Sequence, residues 1–132
     1  MTIQSTSLTL TTEQSDAALD FYQQYFSAKI IFDCGWYRLV QLPSSQQPAP
    51  ELGWTIPKEG SPIYQGGACF NIEVDDVDAL YQSLQGCGAS EVMPLEDHPW
   101  GDRGFAILDP IGLVVYCFET TEPSEEVKQY YR

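Results

Sequence analysis

The sequence predicts an α+β protein of two βαβββ modules, whose curved mixed sheets surround a concave cavity. Three observations support this fold. A length of 132 residues suits one domain, or two small repeats of one unit. Phe21–Gln23 resembles Leu80–Gln82, which lies 59 positions later. The order strand, helix and three strands occurs on both sides of segment 57–67, which contains three glycines and two prolines. We expect a single domain with these parts: module 1 at about 5–57, a linker at about 57–67, module 2 at about 68–119 and a tail at 120–132.

Module 1 opens with a predicted strand at Ser5–Thr11, where small polar and apolar residues alternate. A helix is predicted from about 16 to 27, because apolar residues recur there on one helical face. We expect the Ser15 side chain to cap its first turn. Three more strands are predicted at 29–33, 36–42 and 51–56.

Module 2 repeats this order. A strand is predicted at 68–74, and Asp75 or Asp76 is expected to cap a helix that begins near Val77. Two glycines end that helix. Segment 96–102 is predicted to be a loop, and the tail to be either a short helix or frayed. The remaining strands are predicted at 90–95, 103–108 and 113–118.

Composition narrows the classes of function. An apolar fraction of 43% with 13% aromatic residues excludes a disordered chain. The chain has 19 acidic and 6 basic residues, which gives a formal charge of -13. Such a surface repels phosphate backbones and anionic lipid, so we expect no nucleic-acid or membrane partner. Cationic partners or small ligands fit better, although the charge also serves solubility alone.

Cysteine spacing and the N-terminus predict a reducing compartment. The four cysteines are far apart, with no C-x-x-C pair, so free thiols are expected rather than a zinc site or disulfides. No apolar run approaches the roughly 20 residues of a membrane span, and residues 1–14 lack the pattern of a secretory signal. We therefore expect a cytoplasmic protein.

Three motifs carry a resemblance to a known family. They are Ala17–Tyr22 (AALDFY), Phe70–Tyr81 (FNIEVDDVDALY) and Pro99–Gly112 (PWGDRGFAILDPIG), of which the last is the most specific. In this order and spacing, the chain resembles the vicinal oxygen chelate superfamily over roughly residues 5–120. That superfamily includes glyoxalase I, extradiol dioxygenases, and fosfomycin- and bleomycin-resistance proteins. The resemblance implies the fold strongly and the activity much more weakly.

The resemblance also implies where a metal would bind. Enzymes of this superfamily hold a divalent cation with His, Gln or Glu on the inner face of the sheets. The corresponding positions here are Ser7, Trp54, Cys69 and Tyr116, which are not a usual ligand set. We therefore expect no metal, no cofactor and no catalytic residues. An oxygen-rich site that uses Glu73 is the open alternative.

The absence of usual ligand residues at these four positions resembles the bleomycin-resistance branch of the superfamily. Members of that branch are acidic dimers that sequester a bulky cationic drug in a crevice lined by aromatic residues. We predict metal-independent binding of a small aromatic or cationic molecule by a homodimer. Trp54 and Tyr116 are expected at equivalent positions of the two modules, where their rings would stack on the ligand. The predicted ligand-binding residues are Trp54, Tyr116, Trp36, Trp100, Cys69, Asn71 and Ser7.

Two other functions stay open on the sequence. One is a metal-dependent lyase, isomerase or dioxygenase of the same superfamily. The other is a regulatory or interaction module with a filled cavity. His98, the only histidine, is placed in a loop and is not expected to be a general acid or base. Asp102 and Arg103 are interpreted as surface ion-pair residues, with a ligand or subunit contact as the alternative.

Overall fold

The computed structural model describes all 132 residues, which form two compact units, Met1–Gln65 and Gly66–Arg132. Each unit contains one four-stranded mixed sheet and a helix between its first two strands. The predicted α+β class and the repeated strand order are therefore confirmed. None of the helices has the length and apolar character needed to span a bilayer.

The elements of unit 1 are β1 (Ser7–Thr11), α1 (Ser15–Phe26), β2 (Lys29–Asp33), β3 (Tyr37–Gln41) and β4 (Glu51–Thr55). Its sheet has the strand order β1-β4-β3-β2, in which β1 and β4 are parallel and the other pairs are antiparallel. The edge strand β2 is exposed along its whole length.

Helix α1 covers one face of this sheet. The Tyr22 ring on α1 lies 5.6 Å from the Trp54 ring on β4, and both side chains are fully buried. The predicted cap of α1 is wrong: Ser15 is a buried residue of the first turn, and no side chain caps the helix. The Thr12 hydroxyl instead accepts a hydrogen bond from the Gln14 N–H, which shapes the approach to the helix.

The elements of unit 2 are β5 (Cys69–Glu73), α2 (Val77–Ser83), β6 (Glu91–His98), β7 (Asp102–Leu108), β8 (Val114–Thr120) and α3 (Glu125–Lys128). The unit repeats the arrangement with the strand order β5-β8-β7-β6, in which β5 and β8 are parallel. Helix α3 is a single turn after the last strand, so of the two alternatives predicted for the tail the short helix is the one observed.

Helix α2 covers one face of the unit 2 sheet. The Tyr81 ring on α2 lies 4.9 Å from the Phe105 ring on β7. Asp76 is the cap, since its carboxylate accepts a hydrogen bond from the Ala79 N–H at 3.0 Å. Successive side chains of a strand point to opposite faces, so the residues that alternate with Phe105 lie on the other face. We call this face, which α2 does not cover, the open face.

Strand β6 extends three residues beyond its prediction. The polar stretch Glu96–His98 was expected in a loop, but it pairs with β7 as far as the His98–Asp102 pair. An edge strand keeps one side in water and therefore tolerates polar residues, which hides it from a hydrophobicity pattern. The connection between β6 and β7 is consequently a tight turn over residues 99–101.

The residues after β8 fold back on this turn. The Thr121 N–H donates to the Gly101 carbonyl at 2.8 Å, and the Ser124 N–H donates to the Pro99 carbonyl at 2.8 Å. Further along, the Tyr131 hydroxyl donates to the Trp100 carbonyl. The main-chain carbonyls of all three turn residues therefore accept hydrogen bonds from the tail.

Candidate functional site

The open face of unit 2 carries a pair of stacked aromatic rings. Tyr116 and Phe118 are two residues apart on β8, and their ring centroids are 5.6 Å apart with an interplanar angle of 25°. Both rings are half-buried. Strand β5 lies beside them and presents three exposed polar side chains on the same face: Cys69, Asn71 and Glu73.

The Tyr116 side chain leans across Gly104 towards the start of β7. A Cβ on Gly104 would lie 3.0 Å from the Tyr116 hydroxyl and only 2.7 Å from the Cys117 carbonyl oxygen. The absence of a side chain at this position therefore lets the phenol pass. Its hydroxyl donates to Asp102 Oδ1 at 2.8 Å.

Asp102 is the centre of a buried hydrogen-bond network. Its Oδ1 also lies 2.7 Å from His98 Nδ1, and its Oδ2 accepts a hydrogen bond from Trp100 Nε1 at 2.8 Å. Side chains from three different residues thus converge on one carboxylate that is 7% exposed.

The Trp100 indole lies flat on the His98 imidazole. Their ring centroids are 4.3 Å apart and the planes differ by 6°. His98 is 9% exposed and its Nε2 has no hydrogen-bond partner, whereas Trp100 is 43% exposed. Part of Trp100 therefore remains accessible to solvent beside its stack on His98.

The surroundings of Tyr116 favour its neutral phenol. Burial and the hydrogen bond to Asp102 raise the pKa of Tyr116 from 10.0 to about 12. Burial also raises the pKa of the neighbouring Cys69 thiol above its ordinary value. Both groups are therefore uncharged at neutral pH.

A divalent metal does not fit the positions that the superfamily resemblance assigns to its ligands. The Tyr116 hydroxyl donates a hydrogen bond to Asp102, the Cys69 thiol donates one to the side-chain oxygen of Asn71, and Trp54 packs against α1. Ser7 contributes only a neutral hydroxyl. No group of three or more His, Cys, Asp or Glu side chains in the chain is arranged to hold a metal ion. Glu73, the alternative ligand, instead accepts a hydrogen bond from the Thr120 hydroxyl at 3.1 Å.

The structure places the predicted site residues in two groups. Tyr116, Asn71, Cys69 and Trp100 belong to unit 2, where Tyr116 and Trp100 share Asp102 as their hydrogen-bond acceptor. Unit 1 contains Ser7, Trp36 and Trp54.

Two unit 1 tryptophans have partners of their own. Trp36 is 58% exposed in the β2–β3 turn, where the Lys58 ammonium lies 5.9 Å from its ring centroid. Trp54 faces α1, whereas Tyr116 lies on the open face. The prediction that these two residues occupy equivalent positions is therefore wrong. It aligned β4 with β8 one residue out of step, and a shift of one residue along a strand places the side chain on the opposite face of the sheet.

The sequence analysis missed three contributors to this site. Asp102 was interpreted as a surface ion-pair residue, His98 was placed in a loop, and Phe118 was not considered. Arg103 does form ion pairs, but with Asp78 on α2 and with Asp97, on the side of the sheet away from Asp102. One signal in the sequence could have indicated that His98 and Asp102 face each other. They are four residues apart around the turn, and this spacing suits facing positions of a hairpin.

Comparison with known proteins identifies the family. The sequence profile of the glyoxalase/bleomycin resistance protein/dioxygenase superfamily matches residues 4–116. The chain belongs to this superfamily. The resemblance found in the sequence is thereby confirmed.

Individual relatives match shorter stretches of the chain than the superfamily profile does. A bleomycin resistance protein of Geobacillus stearothermophilus is 30% identical over 79 residues, which are 54% of this chain and 60% of that protein. An uncharacterized protein of Mycobacterium bovis is 40% identical over 57 residues, or 42% of this chain and 38% of that protein. The matched stretches thus span about two fifths to three fifths of these relatives.

Solved structures share the fold at low sequence identity. TnmS3, an antibiotic binding protein from Streptomyces sp. CB03234, superposes with a TM-score of 0.70 at 23% identity. That match covers 92% of this chain and 99% of TnmS3. At this identity the similarity establishes the architecture alone.

Proposed function

We propose that this protein binds a small aromatic cation without a metal ion, on the open face of unit 2. The observation that carries the proposal is the run of rings on that face. Trp100 lies on His98, the His98 and Tyr116 centroids are 6.3 Å apart, and Phe118 stacks on Tyr116. Aromatic faces attract both planar groups and cations.

Charge supports a cationic ligand. The chain carries a formal charge of -13, and the rings lie beside the buried Asp102 and the exposed Glu73. A field of one sign raises the local concentration of ligands of the opposite sign. The names of two relatives are consistent with such a role, since one is a bleomycin resistance protein and one an antibiotic binding protein.

Isothermal titration calorimetry with N-methylacridinium, a planar aromatic cation, tests the proposal. The site variant is Phe118→Ala and the matched control is Tyr130→Ala, which removes a 67% exposed ring from the tail. Loss of one stacking partner is expected to weaken binding by about threefold to tenfold, and the control is expected to bind as the wild type does. Unchanged affinity in Phe118→Ala would remove the open face from consideration. Metal-free bleomycin serves as a second probe.

We also propose that the protein is a homodimer. Consecutive exposed apolar side chains on the β2 edge support this, because contiguous apolar patches on a protein surface mark interaction sites. Ile30, Ile31 and Phe32 are 43%, 45% and 50% exposed. Sedimentation equilibrium is expected to give twice the monomer mass, and Phe32→Glu is expected to shift the equilibrium towards monomer. A monomeric wild type across the concentration range would contradict the proposal.

A cytoplasmic location is proposed from the thiols. All four cysteines are free, and free thiols persist in reducing compartments. Cell fractionation tests this location, and recovery of the protein outside the cytoplasmic fraction would contradict it.

A further inference from the structure

We infer that Asp102 is the residue that makes the open face select a cation over a neutral aromatic molecule of the same shape. The inference rests on the proposed binding function and adds a specificity-determining residue to it. Asp102 does not stack on a ligand in this scheme. It acts through the two rings that donate hydrogen bonds to it, Trp100 and Tyr116.

The geometry indicates an ionised carboxylate. Both oxygens of Asp102 accept hydrogen bonds, Oδ1 from the Tyr116 hydroxyl and Oδ2 from the Trp100 indole N–H, each at 2.8 Å. An ionised carboxylate accepts at both of its oxygens, so this arrangement fits the charged form.

No arginine or lysine neutralises this carboxylate. The only basic group within ion-pair distance of Asp102 is His98, and Arg103 pairs with Asp78 and Asp97 instead. Asp102 is also buried, and a charge in a region of low dielectric acts more strongly on its neighbours than a solvated one. Its negative charge is therefore felt directly by the groups bonded to it.

Trp100 and Tyr116 transmit this charge to the ligand surface. A ring whose N–H or O–H donates to an anion becomes richer in electrons, and the attraction of its face for a cation increases with that electron density. Trp100 is 43% exposed and Tyr116 is half-buried, so both rings reach the surface while the carboxylate does not. A neutral planar molecule would still stack on these rings but would gain little from the charge.

The experiment compares two probes of nearly the same shape, N-methylacridinium and neutral acridine, at slightly alkaline pH. Affinities are measured by calorimetry for the wild type, Asp102→Asn and the control Asp97→Asn. Asp97 is a suitable control because its side chain is 77% exposed and its removal changes the net charge equally. We expect Asp102→Asn to lower the preference for the cation by about tenfold, with acridine affinity nearly unchanged, and Asp97→Asn to keep the wild-type preference.

Two further variants keep the inference testable if Asp102→Asn does not fold. Tyr116→Phe and Trp100→Phe each keep an aromatic ring but lose the donor to Asp102. Each is expected to lower the preference for N-methylacridinium by about threefold, and Trp100→Phe also to remove the indole fluorescence that the cation quenches. Equal losses for both probes would show a purely structural role and overturn the inference.

The result also separates this inference from the proposed function. If the wild type binds neither probe, the proposed function fails for this ligand class. If the wild type binds both probes with equal affinity, the binding function stands and the role of Asp102 is wrong.

Discussion

Single residues on β7 show how the pleat of a strand separates neighbouring functions. Asp102 and Arg103 are adjacent in sequence, yet Asp102 joins the buried network and Arg103 bridges to α2. Alternation along a strand requires this separation. Asp102 and Arg103 therefore do not act as one ion pair. Asp102 contributes its charge to the open face, and Arg103 connects β7 to α2.

Gly104 is expected to be intolerant of a side chain. A Cβ there would lie 2.7 Å from the Cys117 carbonyl oxygen and 2.9 Å from the Phe118 Cβ, closer than side chains pack. Gly104→Ala is therefore expected to reduce the free energy of unfolding by about 1–3 kcal/mol in urea denaturation. Glu96→Ala, at the exposed residue that pairs with Gly104 across the ladder, is the control and is expected to change it by less than about 0.5 kcal/mol. Equal stability of the two variants would contradict the packing argument.

Tyr116 is expected to make stability depend on alkaline pH. Its pKa is raised from 10.0 to about 12 in the folded protein, so the neutral phenol is favoured by folding. The contribution is complete below pH 10 and is lost as the pH rises towards 12. The melting temperature of the wild type is expected to fall more steeply over this window than that of Tyr116→Phe. Parallel curves for the two proteins would show that Tyr116 does not cause the dependence.

At the scale of elements, periodicity predicted most of the fold. Helices α1 and α2 and the eight strands were predicted because their apolar residues follow helical or alternating patterns. The end of β6 was missed because Glu96–His98 is polar on an edge strand. The site was predicted only in part. The spacing of His98 and Asp102 suits facing positions of a hairpin, but a hydrophobicity pattern does not show that these two polar side chains are buried.

The start of α2 is expected to depend on one of two adjacent aspartates. The Asp76 carboxylate accepts a hydrogen bond from the Ala79 N–H at 3.0 Å. Asp76→Ala is expected to cost about 1 kcal/mol of unfolding free energy, measured by chemical denaturation. Asp75→Ala is the matched control, since Asp75 lies outside the cap and is expected to have little effect. A larger loss in Asp75→Ala than in Asp76→Ala would reverse the assignment.

For the whole molecule, the side chains at the expected ligand positions predict that the purified protein contains little bound metal. The superfamily positions for metal ligands hold side chains that do not suit a divalent cation, and no other group of His, Cys, Asp and Glu side chains replaces them. Plasma mass spectrometry of the purified protein, with and without added nickel, zinc, manganese and iron, is expected to give less than one metal per chain. A stoichiometric, tightly held metal would favour an enzyme of the superfamily instead.

The exposed β2 edge has a consequence for handling the protein at the bench. In chains that are not paired in the proposed dimer, the free strand edge and its apolar side chains offer a template for pairing between molecules, which the charge of -13 opposes by mutual repulsion. Salt shortens the range of that repulsion to about 10 Å at 0.1 M. Concentrated stocks should therefore stay clear longest in dilute buffer and cloud on storage in molar salt, with the sheet edge as the seed of the precipitate.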